Sequence, residues 1–140
     1  MKLLIGIDDT DNMESRGTGF LSRNLASRIE ALELGQVRGI TRHQLFVHDA
    51  IAYTSQNSSA CLDVESFSEE ELKEFCAEFL EREAAEGSDA GLCIAPIENA
   101  GKDIMKWGSR AKKEVLQLEE GVSLARRHGL YLKGFTGMYI

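Results

Sequence analysis

A single proline, Pro96, and a single tryptophan, Trp107, occur in 140 residues, and no proline-rich linker or low-complexity tract divides the chain. Cysteine is nearly as scarce. Cys61, Cys76 and Cys93 are odd in number, form no C-x-x-C pair and have no histidine at ligand spacing, which argues against both a disulfide framework and a zinc site. Each stands among apolar neighbours, as buried thiols in a reducing cytosol do. No apolar run approaches the ~20 residues that span a bilayer, and Met1-Lys-Leu-Leu-Ile-Gly6 is too short and too weakly charged for a signal peptide. A cytoplasmic protein with no membrane partner is expected. Positive charge is also in deficit: 16 Lys and Arg against 23 Asp and Glu leave a net charge of -7, which argues against broad binding to nucleic acid or membrane surfaces. The Gly-Lys-Ser/Thr of a Walker loop is missing, and Gly17-Thr-Gly19 is a lone G-x-G rather than a dinucleotide fingerprint.

What the chain does have is enough apolar content, 43%, to close one core at this length. Residues 1–140 are therefore expected to form one α+β domain. The stretch that organises it is Ile5-Gly-Ile-Asp-Asp-Thr-Asp11, followed by Ser15-Arg-Gly-Thr-Gly19. Leu3, Leu4, Ile5 and Ile7 read as a buried strand that delivers Asp8, Asp9 and Asp11 at its C-terminal end, where open α/β sheets place ligands. Like-charge pairs at about 5 Å repel by roughly 3 kcal/mol at an effective dielectric of about 20. A bound Mg2+ reverses that sign, because it takes carboxylate oxygens together with substrate phosphates. Asp8 and Asp9 point to opposite faces of an extended strand, so the three need not all be direct ligands. Thr18 occupies a helix N-cap position ahead of the stripe Leu21, Leu25, Ile29 and Leu32. Gly17 and Gly19 let a phosphate approach the exposed amides of that helix start. Acids beside an anion site suit a phosphate that arrives with its metal, so the pattern points to Mg-nucleotide. The competing explanation is an Asp-rich turn that caps a helix without any metal.

The remaining chain alternates strand and helix. Val37 to Val47 reads as a strand interrupted by Thr41-Arg-His-Gln44, where Arg42 is either a phosphate clamp or part of a solvated face. Thr54 to Ser59 reads as a polar loop whose amides and hydroxyls could hold a ribose, base edge or phosphate. Ser68-Glu-Glu-Glu71 forms a capping box before Leu72, Phe75, Cys76, Phe79 and Leu80 at helical spacing, and Gly91 to Ala95 reads as a short buried strand. The order β-α-β-β-α-β over 1–97 is that of a ferredoxin-like antiparallel sheet, with a C-terminal helical extension over 98–140. In that extension Lys102, Lys106, Arg110, Lys112 and Lys113 surround Trp107. They could meet a polyphosphate or an RNA backbone, with Trp107 stacking on a base; alternatively they pair with Glu114, Glu119 and Glu120 while Trp107 fills the core.

Three stretches resemble one family. Gly6-Ile-Asp-Asp-Thr-Asp11 with Thr18 seven residues on, Ile51-Ala-Tyr-Thr-Ser-Gln-Asn-Ser-Ser-Ala60, and Leu124-Ala-Arg-Arg-His-Gly129 followed by Lys133-Gly134 are similar to passages of tRNA-isoleucine agmatinylcytidine synthetases, in their ATP-using kinase domain. The resemblance implies that Asp8, Asp9 and Asp11 bind Mg2+ and ATP phosphates, that Thr18 accepts or contacts a phosphoryl group, and that Asn57 belongs to the nucleotide site. It leaves no room for that family's RNA-binding and zinc-binding domains. The expected function is a Mg-dependent ATP-binding phosphotransferase or ATPase, with Asp8, Asp9 and Thr18 in the chemistry and Asp11, Gly17, Thr18, Gly19, Arg42, Asn57 and Lys102 at the nucleotide. Nucleotide is the expected partner, with RNA left open. The alternative is a nucleotide sensor without turnover, or a scaffold that forms a homodimer through its exposed sheet face.

Overall fold

A computed structural model describes residues 1–8, 18–44, 58–83, 91–114, 116 and 118–134. Its elements are β1 (Lys2–Asp8), α1 (Thr18–Ala31), β2 (Gly35–Gln44), β3 (Ser58–Ser66), α2 (Glu69–Glu83), β4 (Gly91–Pro96), a 3-10 turn (Ile97–Asn99), α3 (Lys102–Ala111), α4 (Leu118–Arg127) and β5 (Tyr131–Gly134). The strands form one sheet in the order β2-β3-β1-β4-β5, with every neighbouring pair antiparallel. β1 is its central strand.

Alternation along β1 decides the layering. Leu3, Ile5 and Ile7 are buried with Leu62, Val64, Leu92 and Ile94 of the flanking strands. This face meets Leu21, Leu25 and Ile29 of α1 and Leu72, Cys76, Phe79 and Leu80 of α2 in one core, which is what the helical spacing of those residues requires. Leu4, Gly6 and Asp8 face the other way. On that second face α3 and α4 cover the β4–β5 side of the sheet, Ile104, Trp107, Val122 and Leu124 standing over Cys93 and Leu132.

Helix boundaries follow local chemistry. Ser68 accepts the amide of Glu71 at 3.4 Å, and three acids occupy the first turn of α2, where the helix dipole favours them. Both α1 and α4 end on a residue in the left-handed region. Gly129 (φ 67°) does so after α4 and Glu33 (φ 56°) after α1. In each, the next residue's amide reaches back to a carbonyl inside the helix: Leu130 to Ala125 at 2.9 Å and Leu34 to Ile29 at 3.0 Å. Glycine adopts this conformation freely and glutamate does not.

Several sequence expectations need correction. The segment 98–140 is not purely a helical extension, because Tyr131–Gly134 returns to the sheet as a fifth strand on the β4 edge. Four residues are too short a run for alternation to announce a strand. The Thr41-Arg-His-Gln44 stretch does not interrupt β2; it pairs in register with Cys61 to Ser58. Its irregularity lies earlier, in a register shift between Val37 and Gly39.

Candidate functional site

The register gathers one set of strand ends. Asp8 lies opposite Ser59 on one side and Gly91 on the other, His43 lies opposite Ser59, and Gly91 pairs with Gly134. The C-terminal ends of β1, β2 and β5 therefore share one end of the sheet with the starts of β3 and β4. α1 leads from this end back to the start of β2, so Thr18, its first residue, and the backbone of its first turn lie at the same end. Asp9 is bonded to Asp8 and Gly17 to Thr18; Asp9, Asp11, Gly17 and Asn57 themselves fall outside the described residues. Gly19 is the second residue of α1.

Two cavities adjoin Asp8. The larger, about 430 Å³, is walled by Cys93, Ile104, Trp107, Leu116, Val122, Leu124, Leu130 and Leu132, among others. The smaller, about 190 Å³, lies over Gly6, Ser59, Gly91 and Cys93. Among the described residues Asp8 is the only acidic or basic side chain lining either cavity. Burial, then Cys61 and Asp8, push the Cys93 thiol up to about 11. Burial and Asp63 raise that of Cys61 as well. Both thiols stay protonated near neutrality, so among the described residues the acidic group at this end of β1 is the Asp8 carboxyl. As a hard oxygen donor it fits Mg2+, which needs only one or two protein carboxylates beside phosphate oxygens. Among the described residues no group of three His, Cys, Asp or Glu could hold a metal.

The other candidates are spread. Arg42 lies opposite Ala60, on the face that α1 and α2 cover, whereas His43 lies opposite Ser59, on the face of Asp8, where its Nε2 is 2.9 Å from Thr41 Oγ1. Adjacent in sequence, the two are separated by the sheet. Lys102 opens α3, just past the Pro96 end of β4 that pairs with Leu3. It stands at the far end of the sheet from Asp8. In the basic stretch Arg110 is neutralised, reaching Glu120 at 2.8 Å and Glu114 at 3.1 Å.

Sequence inspection missed the cavity and the part Gly121 plays in it. A Cβ at Gly121 would lie 3.1 Å from Trp107 Cζ2, so this glycine lets α4 pass against the indole. Arg110 stands 5.6 Å from the centre of the same ring. Trp107 borders both the apolar cavity and a polar groove containing Asp103, Lys106, Arg110, Glu120 and Arg127. It forms a wall between them and does not plug the core. The available signal was Ile104 and Trp107 on one helical face, with Gly121 and Val122 returning opposite.

Solved structures share this fold. The agmatidine synthetase TiaS, in complex with its isoleucine tRNA and ATP, superimposes with a TM-score of 0.84 at 25% identity over 99% of this chain and 34% of that one. Apo TiaS gives 0.82 at 24% identity, covering 99% and 33%, and a TiaS complex with the same tRNA, AMPCPP and agmatine gives 0.83 at 23%, covering 99% and 34%. The chain thus spans about a third of the solved structures it resembles. No family model matches the sequence, and no curated protein matches it. None of the helices among the described residues is long and apolar enough to cross a membrane.

Proposed function

We propose that this chain is an ATP-using, Mg2+-dependent phosphotransferase domain of the kind found in tRNA-modifying enzymes. The observation that carries the reading is Asp8, among the described residues the one acidic or basic side chain lining two cavities, held at the end of the central strand where α1 also begins. Likeness to structures solved with ATP and an isoleucine tRNA supports nucleotide and RNA as the partners. The sheet order β2-β3-β1-β4 with α1 and α2 on one face supports a ferredoxin-like core, and the reading treats 1–140 as one cytoplasmic domain.

Phosphoryl transfer asks a protein mainly for positioning and electrostatic stabilisation. In this reading Asp8, with Asp9 and Asp11, holds Mg2+, which when bound neutralises the triphosphate and draws electron density from its oxygens. Thr18 accepts or contacts the transferred phosphoryl group, and the first amides of α1, reached past Gly17 and Gly19, receive phosphate oxygens. Either Asp8 or Asp9 orients the nucleophile if it is not bound to metal. Arg42, on the face that α1 and α2 cover, contacts phosphate oxygens at the start of α1 as a clamp, and Asn57 contacts the nucleotide. Lys102, at the far end of the sheet, is left out of this arrangement.

The test is calorimetric titration of ATP into the protein with Mg2+ and then with EDTA. Binding that requires Mg2+ and weakens at least tenfold in Asp8→Asn is the expected result. Equal binding by wild type and Asp8→Asn would remove the carboxylate from the site. Transfer of the γ-phosphate to tRNA or to Thr18, followed with labelled ATP, then separates an enzyme from a nucleotide sensor.

A further inference from the structure

We propose that the cavity of about 430 Å³ between α3–α4 and the sheet is the seat of a purine nucleoside, the base lying against Trp107 and the phosphates directed toward Asp8. This rests on the nucleotide reading above and specifies which part of the ligand goes where. The volume falls in the roughly 300–1,000 Å³ range of small-molecule sites, which are mostly apolar with a few polar groups. Here the apolar groups are Ile104, Val122, Leu124, Leu130 and Leu132, and the polar end is Asp8.

The walls discriminate among ligand parts. A phosphate would find no cation inside, since among the described residues no lysine, arginine or histidine lines the cavity, and burying an unpaired charge is costly. A flat heteroaromatic ring has faces that tolerate such walls and stack on an indole. Trp107 is set for that contact before any ligand arrives. α4 passes against its six-membered ring at Gly121, and Arg110, held by Glu114 and Glu120, lies 5.6 Å from the ring centre. Arg110 borders the polar groove and not the cavity. A ring already held loses little freedom when a base stacks on it. The cavity meets the sheet at Cys93, Leu132 and Asp8; a base over the apolar pair leaves the ribose and phosphates on the Asp8 side, at the end of β1.

Trp107 is the chain's only tryptophan, so tryptophan emission excited beyond tyrosine absorption reports on this ring alone. The intact protein is titrated with adenosine, with cytidine, and with inorganic triphosphate plus Mg2+, following emission, while Mg-ATP binding is measured in parallel by calorimetry. Saturable quenching by adenosine, none by triphosphate, and a tenfold or greater weakening of adenosine in Val122→Phe are expected. Val122 is only half-buried, and a melting curve checks that the variant folds; the wild-type titrations stand without it. Quenching by cytidine in preference to adenosine would overturn the purine assignment. Calorimetric binding of Mg-ATP with unchanged emission and no response to adenosine would overturn the subsite while leaving the proposed function intact. Adenosine quenching without any Mg-ATP binding would support the subsite and sink the phosphotransferase reading.

Discussion

Replacing Gly121 by alanine tests whether the space beside Trp107 is open. Two effects oppose each other. Inside a helix, Gly→Ala removes a penalty of up to about 1 kcal/mol, reduced here because Gly121 is the fourth residue of α4. Against it, the new methyl lies 3.1 Å from Trp107 Cζ2, 3.7 Å from Cη2 and 3.8 Å from Cε2, and only the first is tighter than ordinary van der Waals contact. The indole must yield by a few tenths of an ångström. In a filled core that would cost about 1–3 kcal/mol, but Trp107 borders a cavity of about 430 Å³ and can shift into it. The two terms then nearly cancel, leaving stability within about 1 kcal/mol of wild type, or roughly 2–4 °C in Tm for a chain of this size. Urea melts followed by circular dichroism measure that, while tryptophan emission and adenosine quenching should both change because the ring has moved. A loss above about 2 kcal/mol would refute the argument, since it would mean that the indole is packed on its cavity side as well.

Gly35→Ala should behave differently, because its Cβ would lie 2.8 Å from the carbonyl oxygen of Glu65 and 2.9 Å from Val64 Cγ1; backbone cannot step aside, and urea melts should show a loss of about 2–3 kcal/mol. Glu33→Gly relieves a left-handed glutamate (φ 56°) and should raise stability by about 0.5–1 kcal/mol in the same assay. Leu25→Ala, at a fully buried position against the sheet, should cost about 2–5 kcal/mol. Burial pushes the Cys76 thiol up to about 12 and, with Cys61 and Asp8, that of Cys93 to about 11. The unfolded thiols ionise near 8.5, so the folded state binds more protons above that pH. Stability should be complete below about pH 8.5 and fall as pH rises toward those folded values. Thermal melts from pH 8 to 11 should show the decline, with a shallower slope in Cys76→Ala.

Periodicity made α1, α2 and the buried face of β1 legible, because Leu3, Ile5 and Ile7 and the Leu72 to Leu80 stripe carry their partners' geometry in their own spacing. Asp8 at a strand end was legible for the same reason. What spacing could not carry was contact between distant segments. Nothing local to Trp107 says that Gly121 will pass beside it, and nothing in Tyr131-Leu-Lys-Gly134 says that the edge of β4 is open to pair. Nor does adjacency imply a shared face: Arg42 and His43 are neighbours in sequence, and strand alternation sends them to opposite sides. The helix end at Glu33 was hidden because the residue normally supplying a left-handed stop is glycine, and the nearest, Gly35, lies two positions later in β2.

The attachment of β5 determines how the layer over the cavity comes away. β1 pairs with β3 from Lys2 to Asp8 and with β4 from Leu3 to Asp8, but β5 meets β4 only over Gly91 to Ile94. Since α3 follows β4 and α4 leads into β5, releasing that short ladder frees both helices while α1, α2 and the central strand stay packed. In hydrogen exchange the amides of α3, α4 and β5 should therefore form one low-energy opening unit, exchanging well before Ile5 or Leu62, whose amides wait for global unfolding. A ligand bound beneath α3 and α4 would slow exchange in that unit and leave the rate at the centre of the sheet governed by its effect on global stability alone.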